Sequence, residues 1–153
     1  MTRSRASEQT KRSETSSVLI DTNVWSELLR RDPLPAVIDL IATRKDDLLL
    51  SSIVVAEMEF GIARLPDSDR RRQLRTFVDD IVERYVERLL FPDLAVAATF
   101  GRLKADLSAR GLTIADLDLM IASQAIAADV PLVTRNVSDM ARTGATIINP
   151  WMP

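Results

Sequence analysis

Short apolar runs alternate with longer amphipathic segments along this chain. The apolar runs predict buried strands at residues 18–20, 48–51, 89–91, 131–134 and 145–148. The segments between them carry apolar residues at helical spacing, which predicts helices over residues 23–31, 36–44, 53–65, 69–88, 93–110 and 116–129. Strands that alternate with helices favour a parallel sheet covered on both faces. The expected fold is therefore a single α/β domain, with three α/β/α layers and a central, mostly parallel sheet.

Residues 1–16 do not share this pattern. They are rich in Ser, Thr and Arg, and they include four basic and two acidic residues but almost nothing apolar. Such a composition is typical of a disordered segment. We expect a disordered basic tail over residues 1–16 and one folded domain over residues 17–153.

The composition narrows the possible chemistry. The 153 residues include no Cys and no His, which excludes disulfides, zinc sites of the usual kind, a Cys nucleophile and a Ser-His-Asp triad. A net charge of −2 is not that of a protein that coats DNA by positive charge alone. No apolar run approaches the ~20 residues of a membrane helix, and the first 16 residues lack the apolar core of a signal peptide. We expect a cytoplasmic location.

Asp21 comes directly after the first apolar run, where a predicted strand ends and a helix begins. In open α/β sheets, ligands bind at the carboxyl ends of the strands. A simpler interpretation is that Asp21 only caps a helix, and the neighbouring Thr22 and Asn23 are also good N-cap types. The stretch by itself favours neither interpretation.

Two further acids lie among apolar neighbours on predicted helices. Glu57 has an apolar residue on each adjacent turn, with space left by Gly61 four residues later, but Glu59 also faces apolar residues, so periodicity does not separate the two. Asp118 has small or apolar neighbours at helical spacing, whereas Asp116 is explained by the preference of a helix start for acids. Asp118 could serve that same purpose. A buried carboxylate without a partner is unfavourable, which makes Glu57 and Asp118 candidate site residues.

Polar residues also follow the fourth predicted strand. Asn136 and Asp139 come just after Thr134, on the rim where Asp21 is expected, although both types are common in turns. An arginine run at residues 70–72 could contact phosphate, but a charge run at a helix start is usually just solvated, and we favour that interpretation.

A doubly wound fold can bring Asp21, Glu57 and Asp118 to one rim of the sheet. Three carboxylates at close range repel one another unless their pKa values rise or a cation lies among them. Without histidine, a hard cation with oxygen ligands, Mg²⁺ or Mn²⁺, is the natural partner. The chemistry that follows is hydrolysis of a phosphodiester by metal-activated water.

Four motifs together resemble the PIN-domain family, and within it the VapC/FitB-like ribonuclease toxins of bacterial toxin–antitoxin pairs. The motifs, in chain order, are VLIDTNVWSELL, SSIVVAEMEFGIARL, DLDLMIASQAIAADVPLVTRNVSDM and INPW. The resemblance covers residues 18–151, and the order and spacing of the motifs make it specific. It implies a Mg²⁺-dependent endoribonuclease, usually dimeric, that a small VapB-like antitoxin neutralises.

The resemblance also assigns roles to residues. It matches Asp21, Glu57 and Asp118 to the acids that bind metal and catalyse, which selects Glu57 over Glu59. Asn136 stands where many relatives have a fourth acid, so Asn136 or Asp139 would only orient water or an outer contact. Roles in supporting the acids or contacting phosphate would fall to Thr22, Asn23 and Thr134. The helices predicted at residues 53–65 and 69–88 would hold an antitoxin helix.

Other functions remain open from the sequence. A haloacid-dehalogenase-like phosphohydrolase also has a strand-end aspartate, but it needs a second one where Asn23 stands. A receiver-like signalling domain meets the same difficulty. A third alternative is an inactive PIN-like binding module whose acids only cap helices. If the chain is a nuclease, nothing in the sequence chooses between transfer RNA and ribosomal RNA as its target.

Overall fold

The computed structural model describes residues 17–152. The tail predicted at residues 1–16 lies outside the described residues and stays a prediction. The described chain forms five strands: β1 (Val18–Ile20), β2 (Leu48–Ser51), β3 (Leu89–Leu90), β4 (Leu132–Val133) and β5 (Ile147–Ile148). Its α-helices are α1 (Thr22–Glu27), α2 (Pro35–Thr43), α3 (Ser52–Arg64), α4 (Asp69–Tyr85), α5 (Leu94–Ala109), α6 (Asp116–Ala127) and α7 (Val137–Met140). Short 3₁₀ turns follow α4 at Val86–Arg88 and α7 at Ala141–Thr143.

All neighbouring strands are parallel, in the order β3-β2-β1-β4-β5. The predicted α/β fold is confirmed. β1 lies at the centre, and its three residues are fully buried. The chain first adds β2 and β3 on one side of β1 and then crosses to add β4 and β5 on the other. The switch between β1 and β4 is where such sheets open a crevice at their carboxyl ends.

The core lies between the sheet and its covering helices. Leu19, Leu50 and Leu132 from the strands meet Ile121 and Met140 from the helices, and all five are buried. A smaller apolar cluster joins α5 and α6 through Leu107, Ile114 and Leu119. No helix within residues 17–152 is both long enough and apolar enough to cross a bilayer.

Two local features differ from what the sequence pattern predicts. Residues 135–139 fall outside every predicted strand and helix, yet Val137 opens the short helix α7. Leu94 belongs to the apolar pattern that predicts the helix at residues 93–110, yet it is 86% exposed, because it lies about 200° around the helix from the buried Val96. The N-cap of α1 is Asp21 itself, whose side chain accepts a hydrogen bond from the Thr22 N–H.

A carboxylate cleft at the strand ends

A cavity of about 580 Å³ opens at the carboxyl ends of β1 and β4. Three acids from distant parts of the chain line it: Asp21 after β1, Glu57 on α3 and Asp118 on the first turn of α6. We call this cavity the acidic cleft. Its other lining residues are Thr22, Asn23, Ser26, Glu27, Arg30, Arg70, Arg135 and Asn136.

Asp21 is held from three sides. Its Oδ1 accepts the backbone N–H of Thr22 at 2.7 Å, and its Oδ2 accepts the Thr134 hydroxyl at 2.7 Å and the Asn23 amide at 3.3 Å. Burial raises the pKa of Asp21 above its ordinary value, while these three hydrogen bonds act in the opposite direction. Asp21 is therefore both a helix cap and a buried acid of the cleft, so the two interpretations of the sequence do not exclude each other.

Thr22 connects two of the acids. Its backbone N–H binds Asp21, and its hydroxyl donates to Glu57 Oε1 at 2.8 Å. Burial is the main reason why the pKa of Glu57 is raised, and the charges of Asp21 and Asp118 raise it further. The other glutamate of α3, Glu59, is exposed and pairs with Arg75 at 2.6 Å. The structure thus separates two glutamates that periodicity did not.

Asp118 lines the cleft from the first turn of α6. Burial raises its pKa, and the charges of Asp21 and Asp139 add to the shift. Asp139 therefore lies within electrostatic reach of the cleft, although it does not line the cavity, and it also faces Arg142 at 4.0 Å. Asp116, two residues before Asp118, is exposed and pairs with Lys104 at 2.9 Å.

Asn23 and Thr134 join the ends of β1 and β4. The Asn23 amide donates to the Thr134 hydroxyl oxygen at 3.2 Å, and its carbonyl accepts the Arg135 N–H at 3.1 Å. Thr134 also accepts the Asn136 N–H at 3.0 Å. Through this network Asn136 is held at the cavity wall. All the polar residues expected at this rim therefore lie at it or within its electrostatic reach.

The donor set suits a hard cation. Among the described residues, no Lys or Arg lies within 4.0 Å of the carboxylates of Asp21, Glu57 or Asp118, whereas eight ion pairs form elsewhere. In their present conformations, no three acidic side chains of residues 17–152 are placed to bind the same metal ion. Three acids that form no ion pair, their oxygen donors and the shared cavity fit a divalent cation, and the side chains have to rotate before all three can contact one ion.

Glu27 is a cleft residue that sequence reasoning missed. It is buried, accepts the Leu34 N–H at 3.0 Å and pairs with Arg30 at 3.4 Å. The available signal was its spacing, since it follows Asn23 by four residues and so shares a face of α1. Arg70, expected to be only solvated, lines the cleft as well.

Comparisons with known proteins agree with this geometry. The family model described as PIN domain matches residues 18–145. The VapC ribonuclease Y4jK of Sinorhizobium fredii is 35% identical over 89% of this chain and 99% of its own length. Toxin FitB of Neisseria gonorrhoeae is 31% identical over 88% of this chain and 98% of its own length. The crystal structure of FitAcB from Neisseria gonorrhoeae superposes with a TM-score of 0.82 at 30% identity, covering 89% of this chain and 99% of that one.

The resemblance seen in the four sequence motifs is thereby confirmed, and the family model runs from the start of β1 to just before β5. Sequence, topology and the acids at the strand ends agree with one another: this chain belongs to the PIN-domain family.

Proposed function

We propose that this chain is a metal-dependent endoribonuclease and acts as the toxin of a toxin–antitoxin pair. The observation that carries the proposal is the acidic cleft, in which Asp21, Glu57 and Asp118 face one cavity and form no ion pair with a Lys or Arg of the described residues. The relatives named as a VapC ribonuclease and as Toxin FitB support the two halves of the proposal. Membership in the PIN-domain family argues against the haloacid-dehalogenase-like alternative.

PIN-domain nucleases depend in general on a metal ion, and we propose Mg²⁺ here, with Mn²⁺ as a substitute, because both prefer carboxylate oxygens. Asp21, Glu57 and Asp118 would hold the ion. Once bound, such a cation lowers the pKa of water and stabilises the charge that develops on a phosphate during in-line attack.

The chain's own residues position this chemistry. The hydrogen bonds from Thr22, Asn23 and Thr134 fix the direction in which Asp21 presents its oxygens. Thr22 also orients Glu57. Mutation of supporting groups of this kind commonly lowers metal affinity or activity by about 10- to 100-fold. Asn136 on the cavity wall and Asp139 near Asp118 are the candidates for orienting water or an outer contact.

The proposal includes partners. The substrate is an RNA of the transfer or ribosomal class, and the neutralising partner is a VapB-like antitoxin. A cavity of about 340 Å³ between α3 and α4, lined in part by Ile62, Arg71 and Arg75, supports these helices as the place where an antitoxin helix binds. We expect a homodimer or a toxin–antitoxin hetero-oligomer, and the cytoplasmic location stays a prediction.

Cleavage of RNA by the purified protein tests the nuclease. We expect Mg²⁺ to support cleavage, EDTA to stop it, and Asp21→Asn to reduce the rate by more than about a hundredfold, because a metal ligand affects activity more than its supporting groups do. Gel analysis of a labelled RNA measures the rate. An Asp21→Asn protein that cuts at the parent rate contradicts the assignment.

Two pairs of variants control for nonspecific loss of negative charge. Glu57→Gln and Asp118→Asn should stop cleavage, whereas Glu59→Gln and Asp116→Asn, on the same helices, should not. The assignment of the site is contradicted if Glu59→Gln loses as much activity as Glu57→Gln, or Asp116→Asn as much as Asp118→Asn. No cleavage and no metal binding by the wild type would favour the inactive binding module.

The growth of cells that express the protein without a partner tests the proposal that it is a toxin. That part of the proposal is wrong if the active protein leaves growth unaffected.

A further inference from the structure

A second cavity adjoins the acidic cleft. It has a volume of about 280 Å³, and Arg30, Arg31 and Arg70 line it together with Ser26, Leu29 and Asp32. We call it the arginine pocket. Ser26, Arg30 and Arg70 line both cavities, so the two form one continuous groove in which the sign of the charge changes from acidic to basic.

The arginine pocket has an excess of positive charge, with three arginines against Asp32. Arg30 is anchored by an ion pair with the buried Glu27, which places a guanidinium where the two cavities meet. The side chains of Arg31 and Arg70 make no hydrogen bond or ion pair with any other residue in the described part of the chain. On the same helix as Arg70, Arg72 is instead paired with Asp67 at 3.0 Å and with Asp69.

Guanidinium groups that converge on a small cavity suit a phosphate, because their N–H donors match its oxygens in pairs. If one phosphate of an RNA strand lies at the carboxylates, the neighbouring part of the strand lies near Arg30, which lines both cavities. The acids alone repel RNA, so part of the attraction has to come from nearby cations. Arg31 and Arg70 are placed to supply it without breaking an existing ion pair.

We propose that the arginine pocket binds the phosphate next to the scissile one in an RNA strand. The inference rests on the proposed nuclease function, because that function places the scissile phosphate in the acidic cleft. The pocket then holds the strand in register beside the carboxylates. It contributes to substrate binding and takes no part in bond breaking.

Binding of a labelled decamer of uridylate tests the proposal by fluorescence anisotropy, in EDTA and over a range of salt concentrations. Arg31→Gln and Arg70→Gln should each weaken binding about tenfold and lower the slope of log affinity against log salt by about 0.7, the value for one phosphate contact in a single strand. Arg72→Gln, which removes the same charge from the same helix as Arg70, should leave both quantities unchanged.

A variant that gains affinity is a useful control, because misfolding would only weaken binding. Asp32→Asn removes the one negative charge of the arginine pocket and should strengthen binding of the decamer. The proposal is overturned if Arg31→Gln and Arg70→Gln bind as Arg72→Gln does, if Asp32→Asn weakens binding, or if the wild type does not bind the decamer at low salt.

Cleavage kinetics separate this inference from the proposed function. Arg70→Gln should raise KM and leave kcat close to that of the wild type, whereas Asp118→Asn should lower kcat. If metal-dependent cleavage occurs but KM does not respond to Arg70→Gln, the arginine pocket is wrong and the nuclease stands. If no protein cleaves RNA with metal, the proposed function fails whatever the binding data show.

Discussion

At the scale of single residues, the acidic cleft is organised by two neutral side chains, Thr22 and Thr134. Thr134 donates to Asp21 and accepts from both Asn23 and the Asn136 N–H. Thr22 links Asp21 to Glu57. Buried polar groups need such partners, because an unpaired one costs about 1–3 kcal/mol. The carboxylates are thus held in place before any cation or phosphate arrives.

Asp21→Asn should stabilise the metal-free protein near neutral pH. An acid whose folded pKa is raised contributes stability that is complete below its unfolded value, 3.8 for Asp21, and that is lost as pH rises through the folded pKa. Asparagine keeps the cap and carries no charge. Urea unfolding in EDTA, from just above that value to neutral pH, should show a difference between variant and wild type that grows with pH. A constant difference contradicts the view that burial disfavours the charged form of Asp21.

At the scale of elements, a buried glutamine joins the edge of the sheet to α6. The Gln124 amide donates to the Leu90 carbonyl of β3 at 3.2 Å, and its own carbonyl accepts the Ser51 hydroxyl at the end of β2. Gln124 is almost completely buried. The two-residue strand β3 has few bonds of its own, so this contact fixes where the edge strand lies relative to the helix that carries Asp118.

Gln124→Ala should destabilise the fold by about 2–4 kcal/mol, because it removes the partner that Gln124 provides to the Ser51 hydroxyl and to the Leu90 carbonyl, and because it opens a cavity. Urea unfolding measures the change. Gln73→Ala, at an exposed position of α4, is the control and should change stability by less than about 0.5 kcal/mol. Similar effects for the two variants would mean that the Gln124 contacts do not hold the edge strand.

The sequence predicted elements well where hydrophobic periodicity was strong. β2 was predicted over residues 48–51, as observed, and every long helix was found within a few residues of its expected bounds. It failed where tertiary contacts decide, as at α7, whose four residues carry no readable period. Leu94 is exposed although it is apolar, because it lies on the side of α5 away from the buried Val96. At the site, the sequence alone could not choose Glu57 over Glu59, since the ion pair with Arg75 that keeps Glu59 outside joins separate helices.

At the scale of the whole molecule, the parallel sheet brings together groups that are far apart in sequence. Asp21 and Thr134 are 113 residues apart and lie in direct contact. Glu57 and Asp118 reach the same cleft from two helices, α3 and α6. The site therefore depends on the complete topology and not on any local motif. A ligand bound at this junction should stabilise the entire fold.

Mg²⁺ should raise the thermal unfolding temperature of the wild type. A cation that binds only the folded state stabilises it by about 2.7 kcal/mol at a hundred times its Kd, which corresponds to a shift of about 5–10 °C for a domain of this size. Glu57→Gln should lose most of the shift and Glu59→Gln should keep it, as followed by circular dichroism. An unchanged shift in Glu57→Gln contradicts the metal role of that residue.

The late position of β4 in the chain has a consequence for synthesis. While a ribosome is still adding residues up to 131, β1 has no neighbour on one side and Asp21 lacks the hydroxyl that Thr134 later donates. A nascent chain therefore has no assembled nuclease centre. The centre can assemble only after translation has passed β4, so Asp21 waits for a hydroxyl that lies 113 residues further along the chain.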